Sequence, residues 1–199
     1  MTDSQKHDGK SDTNHKPDDA ARLDQELEKL SEEQFRRQMR QASVLLSGGN
    51  AKEAIPLLER CHSLHPEDVN VLTNLGGAYI LHGQHRYAVP VLEKASELAP
   101  HNPNVWSNLA AAYLGKLVTS TRAKQEQALV AYQRVIELDG AYPNVHYNMG
   151  LIYVDRREWD EAHAAFSRAL EMNPYDQDAQ TMLRQVEDVQ NRPDDPEMN

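Results

Sequence analysis

The sequence predicts an all-α protein, a solenoid of antiparallel helix pairs, from three observations. Apolar residues recur at helical spacing in every window between the two polar ends, and no alternating strand pattern interrupts them. One segment occurs in three similar copies, NVLTNLGGAY at 70–79, NVWSNLAAAY at 104–113 and NVHYNMGLIY at 144–153. Polar turns such as SGGN at 47–50 divide each repeated unit into two amphipathic halves. Because one such pair cannot cover its own apolar face, stability requires neighbouring pairs to stack.

A helix is predicted ahead of the repeats, over residues 19–34. Its apolar residues recur at spacings of four and three, at Leu23, Leu27 and Leu30. Ser31 followed by Gln34 forms a capping-box pattern. The helix therefore either restarts at Ser31 or continues without a break into the first repeat.

Four repeat units come into register when the small residues of their second helices are aligned, at Ala54, Ala88, Ala128 and Ala162. The first helices carry a matching set of small residues, at Ala42, Gly76, Ala110 and Gly150. The predicted units span 35–68, 69–102, 103–142 and 143–176. Small residues at these positions allow two helices to approach closely, so they indicate where the helices of each pair cross.

The third unit carries an insertion. Fifteen positions separate Tyr113 from Ala128, against nine between Tyr79 and Ala88, which leaves six extra residues in GKLVTSTRAKQEQ at 115–127. Its polar composition predicts a surface position. The insertion is either a tolerated extension of the loop or a contact for a partner.

The chain is expected to end in disordered tails, an acidic one over 1–18 and a second over 191–199, because almost no apolar side chain occurs there. A single helix over 177–190 precedes the second tail. Its apolar side carries Leu183 and Val186, and acids lie elsewhere on it. This pattern is typical of a capping helix at the end of a stack.

The pattern of shared positions resembles the tetratricopeptide repeat family, whose repeat has thirty-four residues. The third unit carries the family pattern at Trp106, Leu109, Ala110 and Tyr113, and the fourth at Met149, Gly150, Tyr153, Ala162, Phe166, Ala169 and Pro174. The resemblance covers all four units and implies a right-handed superhelical solenoid. It also implies a non-catalytic role in protein–protein interaction, as an adaptor, scaffold or assembly factor.

The family resemblance also implies a binding surface. In these solenoids the second, fifth, sixth and ninth positions of each first helix face a ligand in the inner groove. The corresponding residues are Arg36, Met39, Arg40 and Ser43 in unit one; Asn70, Thr73, Asn74 and Gly77 in unit two; Asn104, Ser107, Asn108 and Ala111 in unit three; and Asn144, Tyr147, Asn148 and Leu151 in unit four.

The asparagines predict contact with the backbone of an extended peptide. An amide side chain offers an acceptor and two donors, which match the C=O and N–H groups of any peptide. The sixth-position residues Asn74, Asn108 and Asn148 are similar to the asparagine ladder in the repeat arm of O-linked N-acetylglucosamine transferases. The second-position residues, Asn70, Asn104 and Asn144, lie near helix starts, where they either join this row or cap free N–H groups.

Arg36 and Arg40 in unit one could anchor an acidic group at one end of the peptide. The clamp that binds chaperone tails has basic residues where this chain has Asn104 and Asn108, so the pattern differs from that clamp. A second hypothesis is structural, with self-association through the helix that carries Leu23, Leu27 and Leu30 or through an end of the solenoid, and no peptide ligand.

Composition argues against several other classes. Thirty-one acidic and twenty-one basic residues give a net charge of −10, which disfavours nucleic acid and anionic membranes as partners. Neither a secretory signal nor an apolar run of membrane-spanning length is present, so we expect a cytoplasmic protein. Phosphate-binding glycine loops and nucleophile elbows are missing, and we predict no enzymatic activity and no cofactor.

The histidines near Cys61 raise the question of a metal site. His62 and His65 follow Cys61 closely, and His82 and His85 form a second pair. Structural zinc sites show paired ligands at tight spacing, which this segment lacks. We therefore predict no metal site, and we place Cys61 in the core of its helix.

Overall fold

The structure, a computed structural model, describes the backbone of residues 17–191 and the side chains of residues 28–191. Within 17–191 the chain forms nine α-helices, one short 3-10 turn and no strand, which confirms the predicted fold class. The helices are α1 (Pro17–Ser47), α2 (Ala51–Leu64), α3 (Val69–Leu81), α4 (His85–Leu98), α5 (Pro103–Leu114), α6 (Arg122–Leu138), α7 (Val145–Asp155), α8 (Trp159–Met172) and α9 (Gln177–Gln190). The predicted tails lie almost entirely outside the described residues.

The helices pair in chain order. α1 packs on α2, α3 on α4, α5 on α6 and α7 on α8, while α9 packs on the last of these pairs. The turns after α1 and α3 use Gly49 and Gly83, both at a φ of 76°, where a side chain would be strained. Chain reversal at these glycines makes the two helices of a unit antiparallel.

The first helix continues without a break through Ser31 and Gln34 into the first repeat, and it does not restart at Ser31. Its 31 residues span about 46 Å at about 1.5 Å per residue. Only its last part faces α2, because α2 has 14 residues. Residues 28–31 are exposed, as expected for a helix that extends beyond its partner.

The aligned small residues lie where the paired helices cross. Ala54, Ala88, Ala128 and Ala162 are fully buried. A Cβ added to Gly76 would lie 2.4 Å from Cγ of Leu92, and one added to Gly150 would lie 2.6 Å from Cε1 of Phe166. The large side chain of the second helix therefore fills the space that glycine leaves in the first helix.

The insertion of unit three forms regular structure. Its residues make the 3-10 turn at Leu117–Thr119 and lengthen α6 to 17 residues, against 14 in α4 and α8. Thr121 caps α6 by accepting a hydrogen bond from the backbone N–H of Lys124. Val118 in the 3-10 turn is 88% exposed. The added length at the start of α6 brings it against the turn between α7 and α8.

The first two junctions between units each contain the same type of hydrogen bond, from a tyrosine to a glutamate. Tyr79 of α3 donates its hydroxyl proton to Glu59 of α2, and Tyr113 of α5 donates to Glu93 of α4, both at 2.7 Å. At the third junction the corresponding residues are Tyr153 and Gln133, and no hydrogen bond joins them among the described side chains.

A buried arginine joins units three and four instead. The side chain of Arg156 is only 6% exposed. Its Nε donates to Gln125 at 2.9 Å, its Nη1 to Glu126 at 3.1 Å and its Nη2 to the carbonyl of Arg122 at 3.1 Å. Gln125, itself buried, donates in turn to Asp155 at 2.6 Å. These three acceptors of Arg156 belong to the N-terminal part of α6, so the lengthened α6 supplies the contacts that hold unit four.

Candidate functional site

The predicted sixth-position row lies on α3, α5 and α7. α3 packs directly on α5, and the Nδ2 atom of Asn108 lies 3.8 Å from where a Cβ on Gly77 would be. Asn74 and Asn108 are both half-buried. Neither amide takes part in a hydrogen bond among side chains 28–191, so both keep their donors and acceptor available for a ligand.

Asn148, the third member of the row, has a different environment. Its amide lies near the hydroxyl of Tyr132, a side chain that is 2% exposed. Burial raises the pKa of Tyr132 to about 12, and the Asn148 contact acts in the opposite direction. Leu58 and Leu92 occupy the position of Tyr132 in units one and two and offer no polar atom. Asn148 therefore has a polar neighbour within the protein at a position where its two counterparts face leucine.

The second-position asparagines are not side-chain caps of their helices. Asp68 and Asn102 cap α3 and α5 by accepting from the backbone N–H groups of Asn70 and Asn104, at 2.8 and 3.0 Å. Asn144 does stand at the first position before α7, but its φ is 62° and its side chain makes no capping bond. The capping interpretation of these residues is wrong, because the true caps lie two residues earlier in α3 and α5.

Asn104 has an intramolecular partner of its own. Its Oδ1 accepts a hydrogen bond at 2.8 Å from the hydroxyl of Tyr142, in the loop that leads to unit four. Asn70 is exposed. Thr73 donates its hydroxyl proton to the carbonyl of Val69 at 2.6 Å, and Ser107 is half-buried on the next helix. Asn104 and Thr73 therefore use polar atoms within the protein, whereas Asn70 remains exposed to a ligand.

The basic residues of unit one lie on an open part of α1. Arg36 pairs with Glu32 at 3.7 Å, and both side chains remain largely exposed. Arg40 is exposed and forms no ion pair with any described side chain. Arg36, Arg37 and Arg40 line a shallow depression together with Leu30, Glu33 and Gln34. This surface could receive an acidic group without first breaking a buried contact.

The structure adds a pocket that sequence reasoning missed. It has a volume of about 340 Å³ and lies where α7 begins, beside the C-terminal end of α8 and the residue before α9. We call it the unit four pocket; its lining residues are Ala141, Tyr142, Pro143, Asn144, His146, Tyr147, Ala169, Met172, Asn173 and Asp176. Two of them, Asn144 and Tyr147, are predicted site residues. The pocket therefore continues from the predicted binding surface of unit four.

Cys61 and its neighbouring histidines show no arrangement typical of a metal site. Within the part of the chain that the structure describes, no three side chains of the His, Cys, Asp and Glu types come together. Cys61 is fully buried, its Sγ lies 3.7 Å from Oε1 of Gln38, and burial raises the pKa of its thiol. Trp106 packs against two parts of the core and donates its indole proton to the carbonyl of Pro100.

None of the described helices combines the length and the apolarity needed to cross a bilayer. In α1, Leu30 is 55% exposed, whereas the side chains of Leu23 and Leu27 lie outside the described residues. Self-association through this helix stays a prediction, which light scattering on the whole chain and on a chain that begins at Ser31 would test.

Comparison with known proteins agrees with the repeat architecture. Residues 124–156 match a model described as TPR repeat, and residues 143–176 match one described as Tetratricopeptide repeat. A search of curated protein sequences found no significant match.

Three solved structures with similar folds are informative. The MamA protein is 22% identical, with a TM-score of 0.68 over 79% of this chain and 83% of its own. TTC0263, a thermophilic TPR protein of Thermus thermophilus, is 21% identical, with a TM-score of 0.65 over 79% and 84%. The first TPR of Spaghetti (RPAP3), bound to an HSP90 peptide, is 23% identical, with a TM-score of 0.55 over 62% and 94%. Residues 124–176 therefore carry tetratricopeptide repeats, and the stacked helix pairs of the described chain share the fold of these solved structures.

Proposed function

We propose that this protein is a non-catalytic interaction module, acting as an adaptor, scaffold or assembly factor, and that it binds an extended segment of a partner protein along α3, α5 and α7. The observation that carries this proposal is the environment of the Asn74 and Asn108 side chains. They lie on two helices in direct contact and are half-buried, and their amides have no partner among the described side chains. An extended peptide backbone offers the C=O and N–H groups that match the donors and acceptor of these amides.

The resemblance to the first TPR of Spaghetti supports the same class of ligand. That protein binds an HSP90 peptide of sequence SRMEEVD. In the present chain the only basic residues at the predicted ligand-facing positions are Arg36 and Arg40 in unit one. We infer that an acidic residue or a terminal carboxylate of the peptide lies at the unit one end, with Asn74 and Asn108 holding the backbone that follows.

The sixth-position asparagines alone should bind a peptide with low affinity. Two asparagines that each form two hydrogen bonds contribute about 4 kcal/mol, at about 1 kcal/mol per bond, before the cost of ordering the peptide. We expect less from Asn148, because the nearby hydroxyl of Tyr132 competes with a peptide for its amide. Side-chain contacts at the two ends of the row must therefore supply both additional affinity and sequence preference.

Selection of peptides from a random library on the whole chain, followed by calorimetry, tests the proposal. We expect the double variant Asn74→Ala and Asn108→Ala to weaken a selected peptide by at least about tenfold, which corresponds to about 1.4 kcal/mol. Asn148→Ala should have a smaller effect. Gln133→Ala, which removes an exposed amide from α6, serves as the matched control. Unchanged affinity in the double variant with an intact helical spectrum would rule out this binding mode.

A further inference from the structure

The unit four pocket exists because α7 begins late. Asp68 and Asn102 cap α3 and α5, but the residue aligned with Asn102 in unit four is Tyr142, whose hydroxyl binds Asn104 and cannot cap. Consequently α7 starts at Val145, two positions later than α5 does in its own unit. The loop residues 141–144 line the pocket instead of forming the first turn of a helix, as the residues aligned with Pro143 and Asn144 do in α3 and α5.

Substitutions on the helices widen this space. His146 stands where Leu72 and Trp106 stand in units two and three, and Ala169, like Ala95 of unit two, is smaller than Val135 of unit three. Leu72 is fully buried against Ala95, so the same region of unit two is filled. The unit four pocket is therefore particular to this unit and does not belong to the repeat in general.

The pocket combines an apolar wall with negative charge. Pro143, Tyr147 and Met172 are among its apolar lining residues, and Asp176, directly before α9, is its acidic lining residue. Asp176 uses Oδ1 to accept from the N–H groups of Asp178 and Ala179. The charges of Asp178 and Asp176 reach the phenol, since both raise the pKa of Tyr147, after burial as the first cause.

No lysine or arginine lines the pocket. Burial, with Arg168 as a second cause, lowers the pKa of His146, so its ring stays neutral near neutral pH. Arg168 itself is paired with Glu171 on α8. The local balance is therefore negative, through Asp176 and Asp178.

We propose that the unit four pocket receives the side chain of a lysine or arginine from the bound peptide. The aliphatic stem of such a side chain matches the apolar wall, and its charged end matches the carboxylates of Asp176 and Asp178. Tyr147 adds an aromatic face suited to a cation. The volume, near the lower limit of about 300 Å³ for small-molecule pockets, fits one side chain better than a larger ligand.

This inference rests on the proposed function and gives the bound peptide a direction. The acidic end lies at Arg36 and Arg40 in unit one, and a basic residue lies at unit four. Asn74 and Asn108 hold the backbone between them.

Single amino-acid derivatives test the pocket independently of the asparagine row. Nitrogen-labelled whole chain is titrated with N-acetyl-lysine methylamide and N-acetyl-arginine methylamide, and amide NMR shifts are followed. N-acetyl-norleucine methylamide has a similar aliphatic chain without the charge. We expect the basic derivatives to shift the amides of His146, Tyr147 and Asp178, with affinity at least about threefold above that of norleucine. Equal binding of norleucine, or no shift at these amides, would overturn the proposal.

Charge-removing variants that preserve the helix cap complete the test. The double variant Asp176→Asn and Asp178→Asn keeps a capping side chain at 176, since asparagine caps as well as aspartate. Its affinity for the lysine derivative should fall about threefold to fivefold. Asp68→Asn makes the same change at the cap of α3, away from the pocket, and should change nothing. Retained affinity in the double variant would contradict the assigned role of the carboxylates, whereas the result for the Asn74 and Asn108 variants tests the peptide-binding row alone and does not bear on binding of the lysine derivative in the pocket.

Discussion

The junction between units two and three and the junction between units three and four are built differently. At the first, α5 packs closely on α4 and α3, and Tyr113 binds Glu93. At the second, α7 packs sparsely on α6 and scarcely touches α5. Arg156 and its partners on α6 provide the main polar connection there.

The difference between the two junctions changes the surroundings of the sixth-position asparagines, Asn74, Asn108 and Asn148. Close packing of α3 on α5 brings the amide of Asn108 against Gly77 of α3, and the amides of Asn74 and Asn108 have no partner among the described side chains. At the wider junction the side chain of Tyr132 is buried, and its hydroxyl lies near the amide of Asn148. The same repeat position therefore faces a leucine of the preceding unit in two cases and a tyrosine in the third. A sequence repeat does not guarantee a repeat of function.

The largest effect should come from Arg156→Met. This change leaves the carbonyl of Arg122 and the side chains of Gln125 and Glu126 without their donor, and we expect a loss of about 2 to 3 kcal/mol in the free energy of unfolding. Hydrogen exchange should rise in α7 to α9 before it rises in α3 and α4, because units in a solenoid are held by their neighbours. Urea unfolding and amide exchange provide the measurements.

Arg168→Met is the matched control for Arg156→Met. Arg168 also pairs with a glutamate, but its side chain is 57% exposed. Exposed pairs contribute little, so the free energy of unfolding should change by less than about 0.5 kcal/mol. Similar losses in the two variants would mean that burial of Arg156 does not hold the third junction together.

An intermediate effect is expected for the tyrosines at the junctions. Tyr113→Phe removes the hydrogen bond to Glu93, and the free energy of unfolding should fall by about 1 kcal/mol. Tyr153→Phe removes a hydroxyl that forms no hydrogen bond across its junction among the described side chains, so its effect should be smaller. Urea unfolding of both variants measures the difference. If Tyr153→Phe proved as costly as Tyr113→Phe, the two junctions would not differ in this respect.

The smallest effect should appear in the pH dependence of stability. Burial, then Lys116 and Lys124, lower the pKa of His85, which contacts Gly115 at the start of the insertion. Because the folded state binds this proton less readily than the unfolded state, His85 leaves stability intact above its ordinary pKa of about 6.5 and reduces it as the pH falls below that value. His85→Gln should flatten the decrease in melting temperature between about pH 7 and pH 5. His101→Gln, at an exposed position, is the control, and an unchanged slope in His85→Gln would remove this explanation.

Much of the fold followed from the sequence. The apolar period and the aligned small residues predicted the helix pairs and the close approaches at Gly76 and Gly150, because both depend on local spacing. The course of α1 through Ser31 was left open, since a capping-box pattern can also occur inside a helix. The true caps, Asp68 and Asn102, carry the usual capping side chains, and their position two residues before the asparagines was the signal that could have identified them.

The sequence by itself determined the architecture, the register of the repeats and the chemical character of the residues along the first helices. Only the tertiary structure decided which of those residues remain available. The proximity of Asn148 to Tyr132, the hydrogen bond between Asn104 and Tyr142 and the unit four pocket all depend on side chains 16 to 38 positions apart in the chain. Such contacts are set by how neighbouring units pack, and the spacing of residues within one unit does not record that packing.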